Sequence, residues 1–381
     1  MTGHVRIGML VGLIVSAMVL LARARHINPE SSPQETLRVM PEAQGGLDEV
    51  LMHYVPELDD VLAPTYHDFL RSLDERTHVT FVVRRGDGRR LEAFLANDIA
   101  RERVRVVEVD VPLGAWSKDR ALVLRAVHDG RTGLLIPPRP RAGEGSRPAD
   151  WDIVPALASA MPHELMAREI PMAFDAGDFA VTSGRVVIDV NLYARNRSRG
   201  MKTPSDLLER AQAVFGRDVV MLGTDVGDVP QHHMSMYMAL LDDETALVGD
   251  PRAGRTLVGG DYAPGETSPE TGLPLRADFS LTMIARFDRA AADLAAAGFR
   301  VVRIPTVPFD DKTYFAYTNG VYETRDGRRI ARVPWFDVKA LDDEARRVYE
   351  SLGWSVIPIA ARAIYPQHGT IGCLVNVLRR T

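Results

Sequence analysis

The chain has 381 residues, 46% of them hydrophobic and 25% charged, the proportions of a folded globular protein and not of a disordered or fibrous one. Its 46 basic residues against 51 acidic ones leave a net charge of −5, which argues against a nucleic-acid partner, because such proteins carry a basic excess. A single cysteine, Cys373, excludes an internal disulfide and a multi-cysteine zinc site.

In chain order, the first feature is the apolar run Ile7–Ala22, preceded by His4 and Arg6 and followed by Arg23 and Arg25. At about 16 residues it is short for a membrane span of roughly 20 but long enough for a signal-peptide core. Residues 1–25 therefore read as a signal peptide or an N-terminal membrane anchor, and the chain as an exported protein. The Pro/Ser/Gln-rich stretch Asn28–Gly46 that follows reads as a flexible linker over 26–48. Residues 49–381 then read as one α/β domain.

Four segments of that domain share a plan in which an amphipathic helix runs into a β-branched strand. They are Leu91–Ile99 into Arg103–Val109, Pro204–Phe215 into Asp218–Leu222, Phe287–Ala297 into Phe299–Ile304, and Ala340–Leu352 into Trp354–Ile359. In the last three, Gly216, Gly298 or Gly353 marks the helix stop. Further strands are expected at Val79–Arg84, Arg120–Val127, Val186–Leu192, Ala246–Gly249, Thr313–Tyr322 and Cys373–Leu378, with loops at Pro137–Pro148 and Pro251–Asp278. Recurring helix-strand units imply an α/β fold with internal pseudo-repeats. No glycine-rich dinucleotide or phosphate loop is present, so a nucleotide-binding fold loses its main support.

Four short motifs could carry chemistry: Trp116-Ser117-Lys118-Asp119, Asp175-Ala176-Gly177-Asp178, His232-His233-Met234-Ser235, and Gly369-Thr370-Ile371-Gly372-Cys373. Each has an ordinary structural reading by itself. A lone cysteine is usually a buried small hydrophobe, a histidine in an apolar run is usually a satisfied core residue, and an Asp/Gly turn is common. Zinc is disfavoured, because adjacent histidines on a strand point to opposite faces and no third ligand is evident.

In this order the four motifs resemble the agmatine deiminase and bacterial peptidylarginine deiminase family of guanidine-modifying enzymes. Trp116, Lys118 and Asp119 match its W-x-R-D motif. Asp175 to Asp178 match its E-G-G-D-like turn, His233 the histidine of H-x-D, and Gly369 with Cys373 the G-x-x-H-C motif. Asn191–Arg197 and Ile304–Tyr322 are similar to further family segments. The resemblance spans from about Asp110 to the C-terminus. It implies a five-fold pseudo-symmetric α/β propeller (pentein) of ββαβ units that needs no cofactor and no metal. It also implies conversion of a guanidino group to a ureido group plus ammonia, on agmatine, arginine or an arginine-containing peptide. In that reading Cys373 is the nucleophile, His233 the acid/base and Asp175 the carboxylate holding the reacting nitrogens. Trp116, Asp119, Asp178 and Ser235 line the substrate site. The chain departs from the family at Lys118 (for Arg), Asp175 (for Glu), Ser235 (for Asp) and Gly372 (for His). Asp225, Asp228, Asp242 and Asp243 are candidates to replace the lost charge, and His232 replaces His233 if the register slips by one. The alternatives are a catalytically degenerate guanidino-binding protein or an amidinotransferase.

Overall fold

The computed structural model describes residues 38–381, apart from 96, 125–130, 141–147 and 217. The expected signal peptide or anchor at 1–25 lies outside the described residues. Among them no helix is long and apolar enough to cross a membrane. Residues from Val39 on do not behave as linker. Val39 is fully buried, and backbone bonds run from Met40 N to Val123 O (2.9 Å) and from Glu42 N to Val181 O (3.0 Å). The expected boundary at residue 48 therefore falls too late. Val39, Ala43 and Leu47 bury apolar surface that the polar composition around them conceals.

The strands form five small sheets. In the first, β1 (Leu47–His53), β2 (His78–Arg84) and β3 (Val104–Val109) run parallel. Helix α1 (Asp59–Arg71) crosses from β1 to β2, and α2 (Gly88–Leu95) from β2 to β3. The next two sheets are β4 (Leu122–Leu124), β5 (Thr132–Ile136), β6 (Leu165–Glu169) and β7 (Phe179–Val181), β8 (Arg185–Asp189), β9 (Asp218–Leu222). Each pairs its first two strands antiparallel and its last two parallel. A parallel pair needs a crossover, supplied here by α3 (Ile153–Ala160), then by α4 (Asn191–Asn196) with α5 (Pro204–Phe215). The same antiparallel-then-parallel order recurs in β10 (Met238–Leu240), β11 (Thr245–Asp250) and β12 (Arg300–Pro308), crossed by α6 (Pro251–Val258) and α7 (Leu281–Ala296). Here β13 (Tyr314–Ala316) adds an antiparallel edge. It recurs once more in β14 (Val321–Arg325), β15 (Arg328–Trp335) and β16 (Ser355–Ala360), crossed by α8 (Lys339–Ser351). After the single turn α9 (Ile371–Leu374), the last strand β17 (Val375–Arg380) pairs antiparallel with β1. The end of the chain thus completes the sheet that its beginning opens, and gives that sheet the same order as the other four.

Where local signals are strong the expected elements appear as written. Helix α5 covers Pro204–Phe215 because Thr203 and Asp206 form a capping box, Pro204 opens the helix, and Gly216 closes it at φ +55°. Elsewhere tertiary contacts redraw the boundaries. Helix α7 starts six residues before Phe287, where the Ser280 hydroxyl accepts from Met283 N at 3.2 Å. The strand expected over Arg120–Val127 shrinks to Leu122–Leu124 among the described residues, and that over Val186–Leu192 ends at Asp189 before a helix. The strand expected over Thr313–Tyr322 is broken by a turn at 317–320, closed by Asn319 N to Ala316 O (3.2 Å). Cys373 also lies outside a strand, in α9, with its N–H donating to Thr370 O (3.0 Å). Both breaks place site residues at strand ends, where side chains are not committed to a sheet face.

Candidate active site

Cys373, His233, Asp119, Asp175 and Asp178 come from four separate stretches of chain and meet between sheets. Each stretch has a local reason for its shape. The Ser117 hydroxyl reaches Leu51 O (3.0 Å) and Leu374 O (2.7 Å), fixing the turn that carries Asp119 to both β1 and α9. Asp175 and Asp178 hold a one-turn helix by a reciprocal capping box, with Asp175 N donating to Asp178 Oδ2 at 2.8 Å. Two glycines give the space. A Cβ on Gly177 would stand 2.5 Å from His233 Cγ, and one on Gly369 would stand 2.7 Å from the Trp116 ring. Trp116 is therefore seated against the loop that precedes Cys373.

His233 is 6% exposed. Its Nδ1 lies 3.6 Å from Asp119 Oδ1 and its Nε2 lies 3.6 Å from Asp175 Oδ2. Burial disfavours the imidazolium, but Asp119, Asp175, the Cys373 thiol and Asp178 together hold its pKa well above the usual histidine value. His232 stacks on it, ring centres 4.8 Å apart, and is a different kind of residue. Its Nε2 is tied to His368 O at 2.6 Å, and burial and the neighbouring His233 push its pKa well below normal. Of the two, His233 is the one beside the cysteine and the carboxylates.

The carboxylates already face two guanidinium groups that the motifs did not single out. Arg195 Nη1 donates to Asp175 Oδ2 (2.9 Å) and Asp178 Oδ2 (2.8 Å). Arg120 Nη2 lies 3.4 Å from Asp175 Oδ1 and 3.7 Å from Asp119 Oδ2. Although burial pushes the Asp175 carboxyl up, His233, Arg195 and Arg120 hold it well below the usual range. Asp178 goes the other way, because burial outweighs Arg195 and His233. Behind them Asp189, buried and next to Asp178, is pushed up to about 7 while it accepts from Tyr237 Oη at 2.8 Å. Arg195 lies in the arginine-rich stretch already noted at Asn191–Arg197. Arg120 had no signal beyond its place next to Asp119.

Asn319 is the asparagine of the Tyr-x-Asn run within the family-like segment Ile304–Tyr322, to which the sequence assigned no role. It is fully buried, and its Nδ2 stands 3.1 Å from Cys373 Sγ, 3.0 Å from Met236 Sδ and 2.9 Å from Ser235 Oγ. Its Oδ1 accepts from the Thr370 hydroxyl at 2.7 Å, which turns the amide nitrogen toward the sulfur. The same packing accounts for Gly372. A Cβ there would stand 2.8 to 3.0 Å from Asn319, whose carbonyl accepts Gly372 N at 3.1 Å.

Two positions where the chain departs from the family, Ser235 and Lys118, have partners outside the carboxylate cluster. Ser235 joins the site through Asn319, whose Nδ2 donates to its Oγ at 2.9 Å. Lys118 pairs with Glu42 at 2.7 Å, beside a pocket that Ser235, Gly372 and Asn376 also line. None of the aspartates considered as replacements enters the cluster. Asp228 caps the turn at Thr224–Asp225, Asp242 accepts from Thr245 N, Asp243 binds Ser183 and Gly184, and the Asp225 carboxylate acts on Arg289. Among the described residues no group of three or more His, Cys, Asp or Glu is arranged to hold a metal ion.

Comparison with known proteins agrees with this architecture at low sequence identity. No family model matches the sequence, and no curated protein does. Among solved structures, agmatine deiminase of Campylobacter jejuni is 15% identical, with 92% of this chain and 98% of that chain aligned at a TM-score of 0.63. A variant of the same enzyme with substrate bound is 14% identical, covering 93% and 99% at 0.65. Agmatine deiminase of Enterococcus faecalis is 13% identical, covering 92% and 98% at 0.64. The chain shares its fold with the agmatine deiminases, as the order of its motifs led us to expect.

Proposed function

We propose that this chain is a five-fold α/β propeller hydrolase of the deiminase type, converting a guanidino group to a ureido group and ammonia. The observation that carries the reading is the convergence of Cys373, His233, Asp119 and Asp175. Four stretches of sequence bring together a thiol, an acid/base and two carboxylates. The similarity in fold to agmatine deiminases supports a small guanidino substrate.

A guanidinium carbon is a poor electrophile because its charge is spread over three nitrogens. Asp119 and Asp175 would hold those nitrogens and fix the plane. The Cys373 thiolate, facing the Asn319 amide N–H, attacks the carbon, and a C–S bond forms as the C=N bond opens. His233 carries a proton because of its acidic neighbours, and gives it to the departing ammonia as the C–N bond breaks. The neutral imidazole then takes a proton from water attacking the amidino-thioether, whose C–S bond breaks to release the ureido product and the thiolate.

The test is release of ammonia and ureido product from agmatine, arginine and an arginyl peptide, with Cys373→Ala as control. Turnover on at least one substrate, lowered by at least about a thousandfold in the variant, is expected. No turnover on any of them sinks the hydrolase reading and leaves a guanidino-binding protein.

A further inference from the structure

The carboxylates that would hold a substrate guanidinium are already shared with a guanidinium of the chain itself. Arg120 Nη2 sits 3.4 Å from Asp175 Oδ1 and 3.7 Å from Asp119 Oδ2, and its Nε sits 3.7 Å from Asp150 Oδ2. The side chain is only 14% exposed, and its buried Nε has no hydrogen-bond partner. Arg195, by contrast, is fastened at 2.8 and 2.9 Å. A buried guanidinium normally closes short, forked bonds to its carboxylates. Arg120 reaches three of them and closes with none. That is the geometry of a loosely held resident, not of a structural ion pair.

Charge sharpens the point. Asp119, Asp150, Asp175 and Asp178 are set against Arg120, Arg195 and the His233 imidazolium, so a cationic ligand competes with the resident cations for the same carboxylates. It gains Asp119 and Asp175 only by displacing Arg120, which is left with Asp150 and keeps its positive charge beside the ligand. A ligand that carries its own carboxylate can pair with the displaced Arg120. One that carries a second positive charge is repelled by it.

Resting on the deiminase reading above, we infer that Arg120 occupies the guanidinium seat of the resting site, must be displaced by substrate, and selects guanidino acids over guanidino amines. The substrate class is then a guanidino compound bearing a carboxylate, such as arginine, in preference to agmatine.

The test is calorimetric titration of agmatine and of arginine into Cys373→Ala protein, which does not turn over, with and without Arg120→Gln or Arg120→Lys. Arg120→Gln is expected to bind agmatine about tenfold tighter, with a smaller gain for arginine, and Arg120→Lys to stay near the parent, because the charge is retained. Unchanged or weaker binding in Arg120→Gln overturns the inference, as does an equal gain for both ligands. Failure of Arg120→Gln to fold also overturns it, because Arg120 is then a structural ion pair. If neither ligand binds any of the three proteins, the deiminase reading itself falls and takes the inference with it.

Discussion

Two buried clusters of charge in this molecule are built in opposite ways. In the first, Glu323 is fully buried on β14 and takes Arg325 Nε at 2.7 Å, Arg332 Nη2 at 3.0 Å and Leu47 N at 3.0 Å. Both carboxylate oxygens are bonded, and the cluster ties β14 and β15 to the start of β1. In the second, His233, Asp119, Asp175 and Arg120 face one another at 3.4 to 3.7 Å, and both His233 Nδ1 and Arg120 Nε lack a hydrogen-bond partner. Leaving such groups incompletely bonded costs stability. The first cluster closes both carboxylate oxygens with bonds of 2.7 to 3.0 Å, although Arg332 Nη1 stays unbonded, whereas the second holds its charges 3.4 to 3.7 Å apart, where a ligand would complete the bonds.

That contrast breaks if the two clusters respond alike to substitution. Glu323→Ala strands Arg325 and Arg332 in the interior, and is expected to cost about 3–5 kcal/mol of unfolding free energy. Denaturant unfolding measures this, and a loss below about 1 kcal/mol would put the two clusters in one class. Asp175→Asn is expected to act on chemistry instead. Turnover should fall on the order of a hundredfold, and the pH at which His233 loses its proton should drop, because one of the carboxylates holding that proton is gone. Histidine NMR titration reads the second effect, and an unmoved His233 would detach Asp175 from it.

The smallest effect concerns Asp189, at the back of the site. Its folded pKa of about 7 lies above the ordinary carboxylate value of 3.8. The native state therefore keeps a proton that the unfolded chain has released, and stability falls as pH rises from about 4 to about 7. The contribution is fully present below pH 4 and gone above 7. Asp189→Asn should flatten that slope and gain roughly 1 kcal/mol at pH 8, since an amide can still pair with Tyr237. Parallel slopes in parent and variant would show that Asp189 is ionised throughout.

Much of the fold is legible in the sequence where signals are local. Helix α5 with its cap and glycine stop, and the strands around Val79–Arg84, Asp218–Leu222 and Ala246–Gly249, can be read from neighbours alone. Short strands such as Phe179–Val181 and Met238–Leu240 cannot, because three residues carry no periodicity and exist only by pairing with a partner strand. In the site, the four motifs mark Cys373, His233, Asp119, Asp175 and Asp178, which the fold brings into one cluster. Arg120 carries no mark of its own, and Arg195 and Asn319 only lie within stretches similar to the family, because a charged or amide residue has no assigned role in sequence until its partner is known.

The sequence by itself determined the α/β class, the single cysteine and the order of motifs that resembles a deiminase, since each of these is written in composition or in short-range pattern. Only the tertiary structure decided which of two adjacent histidines faces the cysteine, that Ser235 and Lys118 turn to other partners, and that the site carries a guanidinium of its own. Those outcomes depend on distances between residues tens to hundreds of positions apart. Packing and electrostatics fix such distances after the chain has closed on itself, with β17 against β1.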